Sequence, residues 1–135
     1  MATIVLFFNL NQGNLEVVDA EVQPIYNFIE DCIDNEGRDA IKYLGETGGY
    51  YDVPENSYLE IPYYFNDGKN EIPSKEFIEG QLSKYINLGL PHCTYGLREF
   101  DDFDISGEEI NTMVKIENEK VIINSHCTNN SKCNS

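Results

Sequence analysis

Pro24-Ile25-Tyr26-Asn27-Phe28-Ile29-Glu30-Asp31-Cys32-Ile33-Asp34-Asn35-Glu36-Gly37 is the stretch from which the rest of the chain can be read. Ile25, Phe28, Ile29, Cys32 and Ile33 recur at the spacing of one helical face. Pro24 suits the first helical position, where its missing N–H leaves nothing unpaired. Gly37 is placed to end the helix in the left-handed conformation. A helix with one apolar face must bury it against something, and the flanking segments read as strands.

Upstream, residues 3–9 form a β-branched and aromatic run expected to be a buried strand. Asn11-Gln12-Gly13 is a turn signal, and Leu15–Asp19 can return as a second strand. Downstream, Ala40, Ile41 and Leu44 can add a short helix before Gly45, Gly48, Gly49 and Pro54 mark a loop. Tyr58–Phe65 reads as a strand that Pro62 confines to an edge or a bulge. Asn66-Asp67-Gly68-Lys69 is a hairpin turn. Pro73-Ser74 then opens a helix over residues 75–87, with Phe77, Ile78, Leu82, Tyr85 and Ile86 inward, Gly89 as its cap and Pro91 barring its resumption. Ile110–Glu117 and Lys120–Asn124 pair around Asn118-Glu119, with Met113, Ile116, Val121 and Ile123 as core residues. The expected fold class is α+β, with two amphipathic helices packed on one face of a mainly antiparallel sheet in ββα-ββα-βββ order. Residues 1–124 make a single acidic domain and 125–135 a polar C-terminal tail.

The chain has 135 residues, with 24 Asp and Glu against nine Lys and Arg, for a formal net charge of -15. Nine Tyr and seven Phe set it apart from disordered acidic tails, which lack aromatics. Direct binding to a phosphate backbone is excluded as a leading function, because it needs Lys and Arg to displace counterions. The apolar run at the N-terminus is too short for a signal peptide, and no segment reaches the roughly 18 apolar residues of a membrane helix. The expectation is a cytoplasmic protein with no membrane contact.

Charge is densest at Glu99-Phe100-Asp101-Asp102-Phe103-Asp104-Ile105-Ser106-Gly107-Glu108-Glu109, six carboxylates in eleven residues. Asp102–Gly107 has the spacing that opens a calcium loop, but Met113 stands where the bidentate Glu is needed. His92-Cys93 and His126-Cys127, with Cys133 beyond, are open to three readings: a zinc site, a Cys127–Cys133 or Cys93–Cys127 disulfide, or a Cys93–His126 thiol–imidazole pair that nothing in the sequence separates from coincidence. Cys32 belongs to the apolar helix face and reads as core. The chain has no phosphate loop and no nucleophile elbow, so it is expected not to be an enzyme, with no cofactor and no metal.

An ordered acidic surface fits a basic protein partner, such as a nuclease or a nucleic-acid-binding complex. The expected partner-binding residues are Glu99, Asp101, Asp102, Asp104, Glu108 and Glu109, with Tyr50 and Tyr51 as short-range anchors. Tyr63, Tyr64, Phe100 and Phe103 extend that set. Tyr95-Gly96-Leu97-Arg98 and Asp104-Ile105-Ser106-Gly107 are similar to short segments of ArdA-type antirestriction proteins. In composition the whole chain resembles the small acidic DNA mimics of phages and mobile elements. That resemblance implies inhibition of a basic partner by nucleic-acid mimicry. An immunity protein or antitoxin against one basic toxin, a structural or assembly subunit, and a small metal-binding module are the alternatives.

Overall fold

A computed structural model describes residues 3–5, 23–95 and 110–127. Two long helices pack together and against a β-hairpin, giving the α+β class expected. In chain order the elements are β1 (Thr3–Val5), α1 (Gln23–Glu46), β2 (Ser57–Tyr58), β3 (Ile61–Pro62), β4 (Phe65–Asn66), β5 (Lys69–Asn70), α2 (Lys75–Thr94), β6 (Ile110–Glu117) and β7 (Lys120–Cys127). The expected second strand at Leu15–Asp19 lies outside the described residues.

α1 does not stop at Gly37. It runs on to Glu46, burying Ile25, Cys32, Ile33, Gly37, Ala40 and Leu44. A helical glycine costs about 1 kcal/mol relative to alanine, and here a contact accounts for it. A Cβ at position 37 would lie 2.5 Å from Ile123 Cδ1, so the bare glycine is what lets α1 lie against β7. The true end follows Glu46, where Gly49 N–H donates to Leu44 O (2.7 Å) and Gly48 and Gly49 take φ of 64° and 91°.

α2 departs from expectation in the same way. Ser74 caps its start, accepting from Phe77 N–H at 3.1 Å. The helix then passes through Gly89 and Pro91 to Thr94, seven residues beyond the expected end at 87. Gly89 faces the Glu36 carboxylate of α1, which occupies the space a Cβ would need. It marks the close approach of two helices and not a cap. Cys32 and Cys93 join the helices in a disulfide with Cα atoms 5.9 Å apart. This pairing overturns the expected Cys93–Cys127 disulfide and removes Cys93 as a free thiol, while Cys133 of the other expected pair lies outside the described residues. Phe77, expected inward, is exposed, while Leu82, Ile86 and Leu90 are buried.

β6 and β7 form an antiparallel hairpin in register from Ile110↔Cys127 to Glu117↔Lys120, and β1 adds to β7 in parallel, giving the order β1-β7-β6. β7 therefore includes Ser125–Cys127, three residues that the sequence places in the tail. Thr112, Val114 and Ile116 share the helix-facing side with Ser125, Ile123 and Val121, their cross-strand partners. Met113 is 54% exposed, so Val114 takes the core place expected of it.

β6 is an edge strand, and α2 covers that edge with side chains. Ile116 N–H donates to Glu79 Oε1 (2.8 Å), Val114 N–H to Ser83 Oγ (3.0 Å) and Thr112 N–H to Asn87 Oδ1 (2.7 Å). Glu79, Ser83 and Asn87 stand at i, i+4 and i+8 on the helix. Four helical residues advance about 6 Å and two strand residues about 6.7 Å, so the two rows stay in step. The row acts as a surrogate strand.

Candidate interaction surface

Between α1 and α2 the chain folds into two short hairpins, and these carry much of the exposed apolar surface. The expected single strand Tyr58–Phe65 is broken after two residues, because Leu59 and Glu60 take φ of 49° and 65° and turn the chain back. β2 and β3 pair as Ser57↔Pro62 and Tyr58↔Ile61, and β4 and β5 as Phe65↔Asn70 and Asn66↔Lys69. Tyr63 N–H to Asn56 O (3.2 Å) and Glu71 N–H to Tyr64 O (2.8 Å) extend the two ladders.

The base of this double hairpin is fastened to the helices. Tyr64 OH donates to Gly48 O at 2.6 Å, and Tyr50 OH reaches Glu71 O at 3.3 Å while its ring lies 5.1 Å from that of Phe77. Tyr51 sits among Tyr43 and Tyr85, with Lys84 Nζ 5.1 Å from its ring centre. Gln81 Oε1 accepts from Tyr51 N–H (2.8 Å) and Asp52 N–H (3.3 Å), and Asp52 pairs with Lys84. Tyr50 and Tyr51 are thus half-buried posts that hold the loop on α2.

The two faces of the first hairpin differ. Pro62 is buried toward Gly48, whereas Tyr58, its neighbour Leu59 and the cross-strand partner Ile61 point outward. Leu59 is 78% exposed, Phe65 71% and Tyr58 66%. The same segment, residues 52–72, carries Asp52, Glu55, Glu60, Asp67 and Glu71, all exposed, against Lys69 as its sole base, and Asp52 is paired with Lys84 of α2. Tyr63 and Tyr64, named from sequence, belong to this surface. The sequence places Leu59, Ile61 and Phe65 in one strand, because no turn residue stands at 59–60 to signal the hairpin.

The electrostatics follow from where the bases are committed. Arg38 pairs with Asp34, Lys84 with Asp52, Lys120 with Glu117, and Lys75 and Lys115 both with Glu79. Glu79 is buried, and its carboxyl is held below its ordinary value by the Ile116 N–H bond first and by Lys115 and Lys75 after it, against the cost of burial. Glu36 goes the other way, raised by burial and by Asp39, with His92 partly offsetting. Glu30, Asp31, Asp39, Glu46, Glu55, Glu60, Asp67 and Glu76 are exposed and make no ion pair among the described residues.

The expected contact residues Glu99, Asp101, Asp102, Asp104, Glu108 and Glu109, and the calcium-like Asp102–Gly107, lie outside the described residues. Among those described, no cluster of His, Cys, Asp or Glu is arranged to hold a metal, and Cys93 is engaged with Cys32. No helix among them is long and apolar enough to cross a membrane. No family model, curated protein or solved structure matches this chain. The resemblance to acidic DNA mimics stands on composition and two short segments alone.

Proposed function

We propose that this chain is an acidic interaction protein that binds a basic protein partner, such as a nuclease or a nucleic-acid-binding complex, and inhibits or shields it by nucleic-acid mimicry. The observation that supports this most directly is the commitment of the bases. Most described Lys and Arg residues are spent on internal ion pairs, which leaves a surface of unneutralised carboxylates. Such a surface attracts a cationic partner at long range and repels nucleic acid and anionic membranes. In this reading the protein acts by occupying a surface, without chemistry of its own.

The outward apolar face of the first hairpin favours a second reading, an immunity protein or antitoxin that recognises one basic toxin by shape. Affinity capture from the native host separates the two. A basic nuclease released by competing duplex DNA, and by raising salt from about 50 to 200 mM, supports mimicry. A basic toxin that stays bound in excess DNA supports the immunity reading, and recovery of neutral partners alone would sink both. The cytoplasm expected from the sequence would hold Cys32 and Cys93 as thiols, whereas the disulfide between them fits an oxidising compartment. Thiol alkylation of freshly isolated protein followed by mass measurement reads which state exists.

A further inference from the structure

The two hairpins share one turn geometry and fill it with opposite chemistry. At the β4–β5 turn, Asp67 and Gly68 take φ of 49° and 78°, and Asp-Gly is a favoured pair for a two-residue turn with both φ positive. At the β2–β3 turn, Leu59 and Glu60 take nearly the same backbone, at 49° and 65°. Leucine and glutamate are poor residues for it, because a Cβ crowds the carbonyl in the left-handed region. Asn or Gly at position 59 would suit the turn better and would put no apolar side chain in water. Leucine there works against both local backbone preference and solvation, yet it is the most exposed large apolar residue among those described.

We infer that the β2–β3 hairpin is the apolar anchor of a docking surface, with Leu59 at its tip and Tyr58, Ile61 and Phe65 beside it, for a basic protein carrying an apolar groove rimmed by Arg or Lys. The rim decides the occupant. Glu55, Glu60, Asp67 and Glu71, exposed and without an ion pair among the described residues, against Lys69 alone disfavour nucleic acid and anionic lipid. They equally disfavour a second copy of this chain, which would bring a like-charged rim into contact. A cationic rim around an apolar groove satisfies both halves of the surface at once. Long-range attraction comes from the carboxylates, and short-range selectivity comes from the hairpin. The inference rests on the acidic-interaction reading and adds the element that discriminates among basic partners.

The test uses two synthetic peptides of equal length and equal positive charge. One is an amphipathic helix with leucines along one face; the other replaces those leucines with serine and glycine. Titration of the full-length protein by fluorescence anisotropy should show the leucine-bearing peptide binding about tenfold more tightly. Leu59→Asn keeps the net charge and suits the turn, so it should erase that preference, leave the serine–glycine peptide's affinity unchanged and not lower Tm. Equal binding of both peptides by the native protein overturns the anchor while leaving the electrostatic reading intact. Binding of neither overturns both. A drop in Tm with Leu59→Asn would show that Leu59 serves the fold and overturns the inference. So would sedimentation showing a dimer that Leu59→Asn dissolves.

Discussion

β6 and the β2–β3 hairpin both leave strand backbone at an edge, and the molecule treats the two in opposite ways. Along β6 the outward N–H groups of residues 112, 114 and 116 are met one by one by Asn87, Ser83 and Glu79 of α2. An open edge of that length invites pairing with another chain, and the polar row closes it. The β2–β3 hairpin has a ladder two residues long, an apolar outer face and a turn built from residues that dislike it. One region spends polar side chains on burial and order. The other leaves apolar side chains in water. Burial cost separates them: the first is held because its three outward N–H groups each have a side-chain acceptor, the second because it is fastened at its base by Tyr50, Tyr51, Tyr64 and Gln81.

The most direct way to break the contrast is to damage the covered edge. Glu79→Ala leaves Ile116 N–H without its charged acceptor, while Lys75 and Lys115, both more than half exposed, return to water, and it should cost about 3 kcal/mol in chemical denaturation. Ser83→Ala, which strands only Val114 N–H, should cost about 2 kcal/mol. The pH dependence carries the same signature. Because the Glu79 carboxyl is depressed in the folded protein, its contribution is full above its ordinary value of 4.5 and is lost as pH falls through the lower folded value. Glu36, whose carboxyl is raised, acts in the opposite sense: its ionised form is penalised in the fold, and protonation relieves that. Subtracting the Glu79→Gln stability profile from the native one should isolate an acid limb of the first sign. A flat difference would mean that Glu79 is not the charged member of the row.

Much of the frame was legible because it depends on neighbours in sequence. Pro24 and Ser74 start helices, and Ile110–Glu117 pairs with Lys120 onward around Asn118-Glu119, as local chemistry indicates. What was not legible depends on distant partners. A glycine that ends a helix and a glycine that admits a neighbour look the same in one dimension; only Ile123 and Glu36 reveal that Gly37 and Gly89 are contacts. Met113 and Val114 are adjacent, so a parity error of one residue exchanged an exposed side chain for a buried one. Cys32 and Cys93 are 61 residues apart, and only the α1–α2 crossing makes them neighbours. Glu79, Ser83 and Asn87 do form a polar stripe readable at helical spacing, but the strand they serve cannot be read from it. On the candidate surface, Tyr50 and Tyr51 were visible as tyrosines, while their packing against Phe77 and Tyr85 was not.

Packing rather than hydrogen bonding tests the next level. Gly37→Ala should gain helix propensity yet lose about 1–2 kcal/mol overall, since its Cβ would press on Ile123 Cδ1. Ile123→Val removes that carbon. The double variant should therefore be less destabilised than the sum of the two singles, a coupling that a thermal-melt cycle can resolve. Strict additivity would mean that the helix bends away at Gly37, and that its glycine is not there for β7.

The smallest effects belong to the hairpin turns, and there the comparison is sharpest because both turns share one geometry. A Cβ at Gly68 meets nothing within 4 Å, so Gly68→Ala isolates the backbone cost of a φ of 78° and should destabilise by about 1 kcal/mol. Glu60→Gly places a permissive residue at the equivalent position of the other turn and should be neutral or stabilising by up to about 1 kcal/mol. Opposite signs at matched positions would show that the β2–β3 turn gives up stability that the β4–β5 turn keeps. Losses of equal size at both would mean that Glu60 makes up the difference through a contact of its own, and the turn would then be ordinary structure.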